Sequence, residues 1–184
     1  EWCAVNGDGF ALARSLGPGA VDHVIGDLPY DEATHTRARS LKDGGSDIAI
    51  DFAPLPATDT FVPTLIGVAR RWVMCFCAQE QAGEYQRADP EHYIRALWWI
   101  RTNGTPQISG DRPAVPGETI CLMHGDATKK RWNRGGNRGV WEGPICKDPD
   151  RMHPTKKPLW LMEALIRDFT DPGDIVLDGF AGSG

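Results

Sequence analysis

No run in this chain approaches the roughly 20 consecutive apolar residues that a membrane-spanning helix requires. There is no C-x-x-C pair, no internal repeat, no low-complexity tract and no opening leader of basic then apolar residues. These absences set the expectation of a soluble, cytoplasmic protein with no membrane partner. Cysteine is sparse and odd in number: Cys3, Cys75, Cys77, Cys121 and Cys146. Most lie in or beside apolar runs without metal-ligand spacing, so reduced, buried thiols and no metal are expected. Net positive charge is also lacking. The formal charge is −5, which by itself speaks mildly against a nucleic-acid partner.

What is present is ordinary globular material, 41% apolar and 24% charged over 184 residues, enough for one domain with a sizeable core. The basic residues are unevenly placed. Thr128 to Gly139 reads TKKRWNRGGNRG, with Lys129, Lys130, Arg131, Arg134 and Arg138 and no acid among them. His35, Arg37 and Arg39 form a smaller cluster.

Strand-like and helix-like patterns alternate. Glu1 to Asn6, Val21 to Gly26, Val73 to Ala78, Tyr93 to Ile100, Glu118 to Met123 and Asp174 to Asp178 read as strands. Gly9 to Leu16 reads as a short helix. Val62, Leu65, Ile66, Ala69 and Trp72 recur at helical spacing. Leu159, Met162, Leu165, Ile166 and Phe169 mark an amphipathic helix, with Pro158 near its start and Pro172-Gly173 after its end. Asn103 to Gly117 reads as a loop, and 125–150 shows little periodicity. The alternation and the near-continuous apolar runs predict an α/β, mostly parallel sheet covered by helices on both faces.

Three segments carry chemistry. DGFAGSG, Asp178 to Gly184, follows a buried strand, and its glycines let backbone approach a ligand. Asp27-Leu28-Pro29-Tyr30 also ends a strand, joining a carboxylate, a rigid turn and an aromatic ring able to stack on a base. His153-Pro154-Thr155-Lys156-Lys157-Pro158 opens the amphipathic helix. Taken singly, the glycine turn leans toward a ligand site, the tetrapeptide reads as a packed turn, and the third segment reads as a helix entry.

In this order the three resemble the signature of one family, the beta-class S-adenosylmethionine-dependent DNA amino-methyltransferases. Its members carry D-P-P-Y, then H-P-T-x-K-P, a helix and an F-x-G-x-G loop; here these stand as DLPY, HPTKKP and FAGSG. Gly7-Asp8 matches a G-D pair ahead of the tetrapeptide. NGTPQISGDRP, Asn103 to Pro113, looks like a loop of small phage-type members. The resemblance spans essentially the whole chain.

The resemblance implies a doubly wound, Rossmann-like methyltransferase fold. It implies one domain over 1–184 with a small target-recognition insertion at about 125–150. It implies methyl transfer from S-adenosyl-L-methionine to adenine N6 or cytosine N4 of double-stranded DNA. That activity would sit in the restriction-modification or phage context of a bacterial cell. Asp27 and the Leu28 carbonyl would hold the amine of a base flipped from the duplex, with Pro29 completing the turn and Tyr30 stacking. Asp8, His153, Thr155, Lys157, Asp178, Phe180, Gly182 and Gly184 would surround the cofactor. Lys129, Lys130, Arg131, Trp132, Asn133, Arg134 and Arg138 fall in the target-recognition region and would contact DNA.

Two departures from the pattern stand out. Leu28 replaces the family's proline, which loosens the turn and predicts weakened activity. The family also continues past the glycine loop into a helix and a strand with a ribose-binding acid. The expectation is a fragment missing that helix and strand, or an edge supplied by another chain. The competing reading is a catalytically inactive or DNA-binding remnant. A methyltransferase acting on RNA or a protein amide ranks lower, since related tetrapeptides there usually begin with Asn.

Overall fold

The computed structural model describes residues 2–28, 56–104, 106–125, 130–145 and 156–181. In chain order the elements are α1 (Gly9–Ser15), β1 (His23–Asp27), α2 (Thr58–Val68), β2 (Trp72–Cys77), α3 (Ala82–Ala88), β3 (Tyr93–Arg101), β4 (Gly117–His124), β5 (Val140–Gly143), α4 (Leu159–Phe169) and β6 (Val176–Leu177). A 3₁₀ turn, Gln79–Gln81, leads into α3.

The central strands are apolar on both faces, and this decides the architecture. All six residues of β2 are buried. Because side chains alternate across a strand, Val73, Cys75 and Cys77 enter one core with Phe10, Phe61, Val62, Leu65 and Tyr85 of α1, α2 and α3. Trp72, Met74 and Phe76 enter a second core with Leu161, Leu165 and Phe169 of α4. Helices therefore cover both faces, as the apolar runs predict.

The strands form one sheet of order β5-β3-β4-β2-β1-β6. β1 pairs in parallel with β2 and β6, and β3 with β5; β4 is antiparallel to both of its neighbours. Only β4 runs against the rest, so the expected mostly parallel sheet is present as a mixed one. From β1 the chain passes to β2 on one side through α2. It reaches β6 on the other side through α4, which packs against the opposite face. The β1/β6 boundary is thus a topological switch point, where an open α/β sheet leaves a crevice beyond its strand ends.

Several boundaries differ from expectation. The described part of the expected strand Glu1–Asn6, residues 2–6, forms no strand; Trp2 is 89% and Val5 67% exposed. A strand needs a neighbour for its backbone hydrogen bonds, and none of the described residues supplies one. The helical spacing that ran on to Ala69 and Trp72 ends at Val68, where Ala69 turns extended and bridges Val21. Arg70 N–H donates to the Val21 carbonyl and Arg71 N–H to that of Asp22, so pairing with β1 overrides helix continuation. Asp174–Asp178 yields only the two residues of β6. α3, which buries only Tyr85, and β5, four residues at an edge, showed too little periodicity to be read.

Candidate active site

Asp8, Asp27, Leu28, Lys157, Asp178 and Phe180 gather at the carboxyl edge of the sheet. Asp27 is the last residue of β1. Asp178 follows β6 directly, and its Oδ1 accepts a hydrogen bond from the Phe180 N–H at 2.9 Å. That bond folds the glycine turn back toward β1, where the Phe180 ring lies against Gly26. On its other side the Phe180 ring meets Phe10 edge-on at 4.8 Å.

Asp8 is the N-cap of α1, accepting from the Ala11 N–H at 2.7 Å, which orders the helix start. Gly9 crosses Gly179 here: a Cβ on Gly9 would run into the Gly179 carbonyl oxygen. Only glycine permits this approach, so the Gly7-Asp8-Gly9 and Asp178-Gly179-Phe180 loops are fixed against each other.

Leu28 is only 2% exposed and packs in the core of α1 and α2.

Lys157 enters from the turn ahead of α4, whose first helical residue follows Pro158. Its Nζ lies 2.8 Å from Asp27 Oδ1 and 3.1 Å from Glu118 Oε2. Glu118, near the start of β4, belongs to no motif and reads in the sequence as an ordinary strand end. The reversed direction of β4 brings it to this edge, and no motif announces that reversal.

The edge is acidic. Burial pushes the Asp178 carboxyl above its usual range; the Phe180 N–H opposes the shift and the Asp27 charge adds to it. Cys77 is also pushed up, first by its contact with Cys121 and then by burial, so the thiol there is neutral. Among the described residues, no group of three or more His, Cys, Asp or Glu side chains is placed to hold a metal.

The described basic segment lies elsewhere. Asn133 Nδ2 donates to the carbonyls of Arg167 and Thr170 at 3.1 and 2.8 Å, closing the C-terminus of α4. Trp132 packs edge-on against Phe169 and Trp141. Arg134 lies over both tryptophans and 3.7 Å from Asp168. Arg131 lies 3.4 Å from Asp171, and its carbonyl accepts from Trp72 at the opening of β2. This is the amino edge, opposite Asp27. Lys130, Arg131 and Arg138 remain exposed. Pro29, Tyr30, Lys129, His153, Thr155, Gly182 and Gly184 lie outside the described residues.

An open α/β sheet with a carboxylate and a glycine turn at its switch point defines a ligand-binding α/β domain. The chain belongs to the N6/N4 DNA methylase family, whose model matches residues 21–184. It is 24% identical over 210 residues to the type II methyltransferase M2.LlaDCHI of Lactococcus lactis subsp. cremoris, covering 98% of this chain and 77% of that protein. Over 69 residues it is 41% identical to the type II methyltransferase M.BglI of Bacillus subtilis, covering 38% of this chain and 19% of that protein. Among solved structures it resembles the M1.HpyAVI–SAM complex (TM-score 0.69, 21% identity, 98% of this chain and 83% of that one). It also resembles the cytosine-N4-specific PvuII DNA methyltransferase (TM-score 0.64, 12% identity, 94% and 71%). These structural likenesses bear on the fold, and the family match bears on the activity class.

Proposed function

We propose that this chain moves a methyl group from S-adenosylmethionine to the exocyclic amine of adenine or cytosine in double-stranded DNA. The observation that carries the reading is the position of Asp27, a carboxylate ending β1 at the switch point, beside the Asp178–Phe180 turn. Asp27 and the Leu28 carbonyl accept the two amine hydrogens of a base taken out of the stack. An aromatic amine is a weak nucleophile because its lone pair is delocalised into the ring. Two acceptors favour a tetrahedral nitrogen whose lone pair is free to attack. The protein's contribution is positioning and electrostatics, with no covalent enzyme intermediate.

The residues suit the cofactor. Asp178 is a desolvated carboxylate whose charged form is disfavoured, which a cationic ligand offsets. The Gly9–Gly179 crossing holds the Asp8 and Asp178 loops side by side. When bound, S-adenosylmethionine supplies an electrophilic methyl group on a positive sulfur. Asp8 and Asp178 bind and orient it, and Asp27 orients the amine. The exposed Lys130, Arg131 and Arg138 meet DNA phosphates, while Trp132, Asn133 and Arg134 hold their segment on α4.

The test is transfer of labelled methyl to unmethylated duplex DNA, followed by nucleoside analysis. Label in N6-methyladenine or N4-methylcytosine, lost in Asp27→Ala with cofactor binding retained, is expected. Full activity in Asp27→Ala would overturn the site assignment. Absence of label from the wild-type chain would replace it with the DNA-binding remnant.

A further inference from the structure

Lys157 ends between two carboxylates, and its side chain is only 7% exposed. An ammonium at that depth requires charged partners, because its hydration is lost. Asp27 Oδ1 lies on one side at 2.8 Å and Glu118 Oε2 on the other at 3.1 Å. The Phe76 ring lies 5.1 Å from Nζ, adding a favourable aromatic face. These contacts come from three separate elements, the ends of β1 and β2 and the start of β4, and meet Lys157 in the turn ahead of α4.

Among the described residues, the charges around Asp27 are these. Glu118 and Asp178 are acidic, and the Asp178 carboxyl senses the Asp27 charge. Lys157 touches two of these three carboxylates. Arg101 approaches Glu118 at 3.9 Å, and the Cys77 thiol stays neutral. Carboxylates crowded without a cation drive one another to take up a proton. A protonated Asp27 would present an O–H where a target amine requires an acceptor.

We propose that Lys157, shared between Asp27 and Glu118, is a positioning residue that keeps Asp27 ionised and orients its carboxylate for the target amine. The proposal rests on the reading of Asp27 as amine acceptor. Lys157 acts through Asp27, so the motif lysine serves the target side of the site.

The test is an NMR titration of the Asp27 carboxyl carbon in the full chain, assigned by its loss in Asp27→Asn. Methyl-transfer kinetics across pH accompany it. Lys157→Met should raise the Asp27 midpoint by about one pH unit. It should move the acid limb of kcat by the same amount, while the cofactor KM changes less than about threefold. Glu118→Gln removes a competing carboxylate and should lower the midpoint. Opposite signs in the two variants are not what lost packing produces. An unmoved midpoint in Lys157→Met, a rise in Glu118→Gln, or an acid limb that ignores the midpoint each overturns the proposal. Should Lys157→Met fail to fold, the sign in Glu118→Gln decides. If the midpoints move as expected but Asp27→Asn leaves transfer intact, the charge bridge stands and the amine-acceptor reading falls.

Discussion

His23 Nε2 lies 2.8 Å from Asp174 Oδ2, tying the start of β1 to the turn ahead of β6 across 151 residues of sequence. His23 is fully buried, and Arg71 Nη1 reaches the same carboxylate oxygen at 2.8 Å and Asp171 at 3.1 Å. Burial pushes the imidazole below its ordinary range; the Asp174 contacts oppose this and Arg71 reinforces it. Burial also pushes the Asp174 carboxyl upward, but the Asp171 N–H, His23 and Arg71 outweigh it, so the net shift is downward. A neutral imidazole therefore donates to a charged carboxylate.

The pH dependence of stability follows in sign. The unfolded chain protonates His23 near its ordinary value of about 6.5, above the folded value. The stability linked to neutral His23 is thus present above that pH and lost as pH falls below it. Asp174 adds a further loss below its ordinary value of about 3.9. Urea midpoints should drop between pH 7.5 and 5, and His23→Gln should flatten that drop. An equal slope in the variant would place the titration elsewhere.

Asp178 has the opposite sign. Its folded carboxyl titrates above the unfolded one, chiefly through burial. The stability it contributes at low pH is lost as pH rises through the folded value. Asp178→Asn should therefore raise the melting temperature at neutral pH and weaken cofactor binding, a trade common at functional sites. A variant that melts lower and binds equally well would assign Asp178 a purely structural place.

Much of this was legible because the strands are buried on both faces. Val73 to Cys77 can hardly be anything but a central strand, and the alternation of strand and helix fixes the fold class. The motif carboxylates Asp27 and Asp178 are legible because the first ends a strand-like run and the second directly follows one. What escaped depended on contacts far apart in sequence. Glu118 reaches the site only because β4 is reversed. Trp132, Asn133 and Arg134 read as part of a basic stretch, yet Trp132 packs on Phe169 and Trp141, the open carbonyls of α4 hold Asn133, and Asp168 lies beside Arg134. A composition count sees charge and not its partner.

That latch has a measurable strength. Asn133 makes two hydrogen bonds from Nδ2, and its own N–H donates to the Asp168 carbonyl at 2.8 Å. Asn133→Ala removes only the side-chain pair, at about 1 kcal/mol or less per exposed bond. Denaturation should show a loss of about 1–2 kcal/mol, with methyl transfer at saturating DNA unchanged. A loss of DNA affinity without a loss of stability would return Asn133 to base recognition.

The exposed cations of the same segment separate binding from folding. Lys130 and Arg138 have no hydrogen bond or ion pair among the described contacts, whereas Arg134 is held by Asp168 and two tryptophans. Reversing Arg134 would confound unfolding with lost binding. Lys130→Glu and Arg138→Glu should leave the melting temperature within about 2 °C, as surface changes usually do. If both residues meet phosphates, the slope of log affinity against log salt should shrink by about one unit for each residue, uniformly across DNA sequences. An unchanged slope would leave these residues as a solvated face and move DNA contact to the carboxyl edge. A loss confined to one sequence would instead give them a part in base readout.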